Sequence, residues 1–338
     1  MKRTVIKGIG RYIPDRLITN EDLSKHMDTS DEWIQQRTGI KQRYWIPEEG
    51  DVGASDLGLE ASKIALERAG WTPEDLDMII FATLSPDIFF PGSGCLLQYK
   101  LGLKSTPALD IRQQCTGFFY GLATADAYIK SGMANRILFV GAEVHSTGLD
   151  ISTRGRDVAV IFGDGAGAIC LEGVDTDKEE GILASVLHAS GKYADKLCLE
   201  LPASRLNPRL KAEWLENDCR HYPAMDGKAI FKQALVKLPQ VAKETLDKAG
   251  LGIDDIDLVI PHQANLRINQ AFQQSMKLPE EKIFNNIQKF GNTTAASIPL
   301  ALDDAVEQNL VDMTNSTILF VGLGAGLTWA GMIYRFMG

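Results

Sequence analysis

Residues 65–80 read Ala65-Leu66-Glu67-Arg68-Ala69-Gly70-Trp71-Thr72-Pro73-Glu74-Asp75-Leu76-Asp77-Met78-Ile79-Ile80. At positions 245–260 the chain reads Thr245-Leu246-Asp247-Lys248-Ala249-Gly250-Leu251-Gly252-Ile253-Asp254-Asp255-Ile256-Asp257-Leu258-Val259-Ile260. Both stretches read as a helix stopped at Gly, an acidic turn and an apolar run that fits a buried strand. A second pair, Ile137-Leu138-Phe139-Val140-Gly141 and Ile318-Leu319-Phe320-Val321-Gly322, recurs at nearly the same spacing. Helix–turn–strand units are common in α/β proteins, but two pairs at one spacing point to a duplication. The expected organisation is two α/β halves, 1–175 and 176–338, joined near the acidic stretch Glu172–Gly181. Continuous apolar runs such as Met78–Leu84 read as strands covered by helices on both faces.

The rest of the composition is that of an ordinary globular protein. The 338 residues are 45% hydrophobic and 23% charged, with a net charge of −9. That charge argues against nucleic acid or an anionic membrane as the main partner, while leaving room for a local basic patch. Five cysteines, at 95, 115, 170, 198 and 219, show no paired spacing, so a reducing cytoplasm is expected. The basic N-terminus lacks the apolar core of a signal peptide, and no apolar run is long enough to span a bilayer. Cys198, Cys219 and His221 lack a second ligand pair, so no metal is expected.

In parallel α/β sheets, ligands gather beyond the carboxyl ends of the strands. Three polar side chains fall at such ends. Cys115 lies in Leu109-Asp110-Ile111-Arg112-Gln113-Gln114-Cys115-Thr116-Gly117, where an extended run meets a helical one. Unpaired N–H groups and a positive helix end favour a thiolate there, although a lone cysteine is more often core packing. His262 follows the apolar run Leu258-Val259-Ile260, and Asn292 stands in Phe290-Gly291-Asn292-Thr293-Thr294-Ala295-Ala296-Ser297. Singly, such a histidine is more often structural and such an asparagine a cap or turn residue. Gly163–Ala168 and Gly322–Trp329 are Gly-rich without a P-loop lysine. The first suits close packing of the halves, and the second suits an oxyanion hole beside a nucleophile. Residues 192–226, poorly periodic and carrying Pro202, Pro208 and Pro223, read as a long excursion over the active face.

Taken together, Cys115-Thr116-Gly117, Pro261-His262-Gln263-Ala264-Asn265-Leu266-Arg267, Gly291–Ser297 and the final Gly-rich turn resemble the β-ketoacyl-acyl-carrier-protein synthase III family. The resemblance runs end to end and implies the duplicated five-layer αβαβα fold of the thiolase superfamily. It implies a decarboxylative condensation in which Cys115 takes an acyl group from acyl-CoA. Backbone N–H groups of Cys115 and Ala325 would hold the oxyanion; the family usually has Gly at the latter position. His262 and Asn292 would stabilise the enolate left when a malonyl thioester loses CO₂. No metal or redox cofactor is called for, because decarboxylation supplies the carbanion.

The same resemblance assigns the binding residues. Trp33, Arg37 and Arg156 match positions for the CoA adenine and its phosphates, and Asn265 and Gly227 match positions along the pantetheine arm. Phe90 matches an aromatic that crosses a homodimer interface to close the partner's primer pocket. Lys232 and Arg267 match a carrier-protein docking site, but Gln274 and Ser275 stand where the family often has two lysines, leaving Lys277 nearby. Leu84–Asp87 and Ser152–Arg156 also look like relatives that build quinolones from aryl-CoA and malonyl-CoA. A thiolase is disfavoured because residues 322–327 contain no second cysteine, and a hydroxymethylglutaryl-CoA synthase because no acidic acid/base can be placed. A non-catalytic acyl-CoA-binding homologue would be expected to have lost part of the Cys-His-Asn set.

Overall fold

The computed structural model describes residues 1–217 and 219–337. The first half builds a five-stranded sheet from β1 (Lys2–Tyr12), β2 (Met78–Ala82), β3 (Ala108–Ile111), β4 (Arg136–Glu143) and β5 (Gly165–Asp175). Their order across the sheet is β1-β5-β4-β2-β3. The second half builds a four-stranded sheet from β6 (Gly181–Ala189), β7 (Leu258–Pro261), β8 (Thr317–Gly324) and β9 (Thr328–Arg335). Here the order is β6-β9-β8-β7. The two repeat each other strand for strand: antiparallel β1–β5–β4 matches β6–β9–β8, and parallel β4–β2 matches β8–β7. Even the edge strand β3 has a counterpart, a single parallel bridge from Ile283 to Val259.

Six helices matter to the layering and the site. The helix α1 (Asp31–Thr38) lies at the surface, α2 (Ala54–Ala69) covers the outside of the first sheet, and α4 (Gly227–Ala249) covers the outside of the second. Between the sheets lie α3 (Gly117–Ser131) and α6 (Ser297–Glu307), with α5 (Leu266–Met276) packed beside α4. The repeated helix stops are real: Gly70 and Gly250 end α2 and α4 in left-handed conformations, φ 68° and 69°, where a side chain would be strained.

Strand alternation explains the layers. Ile80 and Phe139 point inward to α3, while Ile79, Phe81, Leu138 and Val140 point outward to α2. In the second sheet Ile260, Ile318 and Phe320 face the centre, and Val259, Leu319 and Val321 face α4. Three apolar clusters, the central one running through both interfaces of the inner helix layer, fill the αβαβα sandwich. The inner seam is the tightest, with Phe118 edge-on to Phe119, Phe139 and Phe320 at 5.2–6.0 Å between ring centres. One apolar run is shorter than the sequence suggests. The strand from Met78 stops at Ala82, because Thr83, Leu84 and Ser85 turn aside to hydrogen-bond the Glu143 carboxylate.

Phe320 joins the halves from the second sheet, so Phe320→Ala should cost about 3–5 kcal/mol. Urea unfolding measures this; a loss below about 1 kcal/mol would show that the inner seam does not hold the sandwich together.

Candidate active site

Because the halves repeat, the first turns of α3 and α6 meet at the centre of the molecule. A Cβ on Gly117 would lie 3.1 Å from that of Ala295. Cys115 sits in the tight turn Gln114–Thr116 just ahead of α3, with Gln114 in a left-handed conformation (φ 44°). The last Gly-rich turn presses on it from β8: a Cβ on Gly324 would stand 2.8 Å from that of Cys115, so only glycine fits.

Cys115, His262 and Asn292 line one cavity of about 110 Å³, together with Gly227, Asn265 and the Gly322–Gly324 backbone. Leu197 and Met225, from opposite ends of the 192–226 excursion, also line it, so that excursion does reach the site. Within it Leu197–Cys198 and Ala224–Met225 form a two-stranded ribbon.

Burial sets the electrostatics. Cys115 is 6% exposed, and its thiol is pushed up to about 12, first by burial and then by the Glu143 carboxylate. Its own N–H, the Ala325 N–H and the Thr294 hydroxyl, all polar groups turned toward the sulfur, pull the other way. The sequence favours a thiolate through the helix end, and the fold reverses that balance. A helix terminus contributes at most about 2 kcal/mol, whereas full burial moves a group by up to about 3–5 pKa units. Glu143 is itself raised to about 7 by burial, against donors from Ser85, Leu84 and Thr83.

Burial likewise lowers His262 to about 3, so its ring is neutral at physiological pH. Its Nδ1 lies 2.5 Å from Ser297 Oγ, which also accepts the Gln263 N–H. When the serine hydroxyl donates to Nδ1, the ring hydrogen sits on Nε2, a buried atom with no protein partner. Asn292 gives Oδ1 to the Thr294 N–H at 2.8 Å, leaving its Nδ2 as the donor. The cavity thus holds a sulfur beside two backbone N–H groups, with two uncharged side-chain donors.

The binding residues foreseen from sequence fall in two groups. Trp33 lies between two guanidiniums, Arg37 at 4.7 Å and Arg156 at 5.1 Å from its ring centre. Asn265 links this platform to the cavity, donating from Nδ2 to the Arg37 carbonyl while lining the cavity itself. Exposed Arg267 leans over Phe231 at 5.6 Å, next to exposed Lys232, at the cavity's α4–α5 rim. Phe90 is not brought to this cavity; it is 74% exposed on the loop after β2. Sequence reasoning missed Ser297, Glu143, His145 and the role of Thr294. Glu143 and His145 could have been found by the strand-end rule, since Glu143 ends β4 and His145 follows two residues later. Among the described residues, no three His, Cys, Asp or Glu side chains gather as a metal site, Cys198, Cys219 and His221 included. No described helix is long and apolar enough to cross a membrane.

This sandwich, with a cysteine at the start of one central helix and a histidine and an asparagine sharing its cavity, is the architecture of a thiolase-fold acyltransferase. Residues 109–191 match the model described as 3-oxoacyl-[acyl-carrier-protein] synthase III, and 246–336 match the model of its C-terminal part. The chain is 43% identical to the β-ketoacyl-[acyl-carrier-protein] synthase III of Erythrobacter litoralis over 99% of its length and 100% of that protein. It is likewise 43% identical to that of Caldanaerobacter subterraneus, covering 98% of this chain and 97% of the other. The crystal structure of the Aquifex aeolicus 3-oxoacyl-[acyl-carrier-protein] synthase III superposes with a TM-score of 0.88 at 41% identity, covering 98% and 100% of the two chains. The chain belongs to the 3-oxoacyl-[acyl-carrier-protein] synthase III family of condensing enzymes.

A thiol at about 12 keeps gaining thiolate far above neutrality. Alkylation of Cys115 by iodoacetamide, read by peptide mass, should rise roughly tenfold per pH unit through pH 9. A plateau near pH 8 would contradict the burial argument.

Proposed function

We propose that this enzyme joins the acyl group of an acyl-CoA primer to a malonyl unit on acyl carrier protein, as in the initiating step of fatty acid synthesis. The observation that carries the reading is the buried Cys115 side chain in the same cavity as His262 and Asn292, against the Gly-rich turn before Ala325. The name borne by relatives at 40–43% identity favours initiation over an aryl-CoA condensation.

In the first half-reaction the sulfur attacks the thioester carbonyl, and the oxyanion is held by the N–H groups of Cys115 and Ala325. The C–S bond to CoA breaks, and the departing sulfur takes the proton that the thiol gave up. In the second, the malonyl carboxylate leaves as CO₂ and its electron pair becomes an enolate. Charge growing on the thioester oxygen is met by His262 Nε2–H and Asn292 Nδ2. The enolate carbon then attacks the acyl carbonyl, and collapse of the adduct frees the Cys115 sulfur and gives a 3-oxoacyl thioester. A neutral imidazole suits this step, because it donates without carrying a charge that would hold the carboxylate back. Decarboxylation supplies the carbanion, so no redox cofactor takes part.

The CoA adenine stacks on Trp33 in place of one guanidinium, which frees an arginine for the phosphates. Gly227 and Asn265 border the pantetheine arm. Lys232 and Arg267 offer a thin basic patch to an acidic carrier protein. The exposed apolar run Ile88, Phe89 and Phe90 suits a homodimer in which Phe90 closes the partner's primer pocket, and the cytoplasm is the expected compartment. The two halves, 1–175 and 176–338, are read as the nucleophile-bearing and donor-bearing domains.

Incubation with mixed acyl-CoAs should add one acyl mass at Cys115, and Cys115→Ala should add none. His262→Ala should keep this acylation while malonyl decarboxylation falls by about 10²–10³-fold. Equal loss of both half-reactions would overturn the division of labour, and absence of any acyl-enzyme would overturn the reading.

A further inference from the structure

Thr294 has no task in the steps above, yet it holds both Asn292 and a second buried histidine. It occupies the second half's equivalent of Gln114 and shares its left-handed backbone, φ 52° against 44°. A β-branched residue at such a φ is strained and must be held by its surroundings. Its N–H fixes Asn292 Oδ1 at 2.8 Å, and its turn, Thr294–Ala296, packs on the Gln114–Thr116 turn, where its hydroxyl helps to lower the Cys115 thiol. The same Oγ1 lies 2.8 Å from Nε2 of His145.

His145 is a second buried imidazole behind the nucleophile. It is 8% exposed, its ring packs on Phe162 at 4.6 Å, and its backbone N–H donates to the Asp164 carboxylate at 2.6 Å. Burial lowers it to about 3, so it keeps a single ring hydrogen across the working range. A hydroxyl also has only one hydrogen. If Thr294 gives it to sulfur, the thiolate is favoured and Oγ1 accepts from His145 Nε2–H. If Thr294 gives it to His145, the sulfur must donate and the thiol is favoured.

We propose that His145 and Thr294 are positioning residues for the nucleophile: His145 Nε2–H fixes the threonine hydroxyl so that its hydrogen points at the Cys115 sulfur. The chain of two donors is cooperative, each bond polarising the next. It opposes the two features that disfavour a thiolate here, burial and Glu143. The other titratable groups around the pair are His262 across the cavity and Asp164 behind His145, and neither is altered in the variants below. The proposal rests on Cys115 being the acylated residue.

The test is the rate of Cys115 alkylation by iodoacetamide at pH 8, read by peptide mass on the intact enzyme. A hydrogen bond to a charged sulfur changes the thiolate fraction tenfold or more, partly offset by the higher nucleophilicity of a more basic thiolate. Thr294→Val should therefore alkylate about three- to tenfold more slowly, and Thr294→Ser should restore the rate. His145→Leu should slow it in the same direction without touching the strained backbone, and His145→Gln, which retains an N–H donor, should recover part of the loss. Unchanged or faster alkylation in both Thr294→Val and His145→Leu would overturn the proposal. Slowing in Thr294→Val alone would remove His145 from the pair. Acylation of the wild type by acyl-CoA is measured alongside: if it occurs while alkylation is unmoved, only the positioning pair fails. If no acyl group is taken up, the reading of the enzyme fails with it.

Discussion

Everything in this molecule depends on two sheets burying their inner faces against the same two helices. Because each half contributes one sheet and one helix, neither inner face is covered without the other. The shared layer also forces the starts of α3 and α6 together, to the point that Gly117 and Ala295 leave no room for larger side chains. A reactive centre placed there is dry by construction. The fold therefore determines the electrostatic character of the site before any catalytic residue is chosen.

Dryness acts differently on the two kinds of group. It is unfavourable for Cys115, whose thiolate would be a bare charge in a low-dielectric cavity, and the thiol is correspondingly pushed up to about 12. It is favourable for the donors. A histidine lowered to about 3 cannot become an imidazolium at physiological pH, so its Nε2–H is a fixed dipole that costs nothing to reorganise. Hydrogen bonds to developing charge are also stronger in such a cavity than in water. The backbone N–H groups at Cys115 and Ala325 belong to the same logic, because they bring no counter-charge that would have to be desolvated.

Much of this was legible in the sequence, for definable reasons. The repeat around Gly70 and Gly250 survives as text because both copies need a left-handed helix stop and a buried strand. Cys115, His262 and Asn292 stand at strand ends or tight turns, and such positions can be read from where periodicity changes. What could not be read is whatever depends on contacts across long separations. The Ser297–His262 bond spans 35 residues and the Thr294–His145 bond 149, and no local pattern marks either. The thiol's reversed preference was illegible for a related reason. The helix end is a local feature visible in sequence, whereas the burial that outweighs it exists only once both sheets are in place.

The duplication also explains why the two halves do different work. Cys115 in the first half corresponds to Ala295 in the second, and Gly117 corresponds to Ser297. The two turns meet at Gly117 and Ala295, where glycine in the first half makes the room that the methyl group of the second needs. The second half, relieved of the nucleophile, uses the same turn for positioning instead: Ser297 reaches His262 Nδ1 and Thr294 holds Asn292. The chemistry is therefore asymmetric on a symmetric frame. A larger residue at 117 would lose that asymmetry by crowding the methyl groups of Ala82 and Ala295.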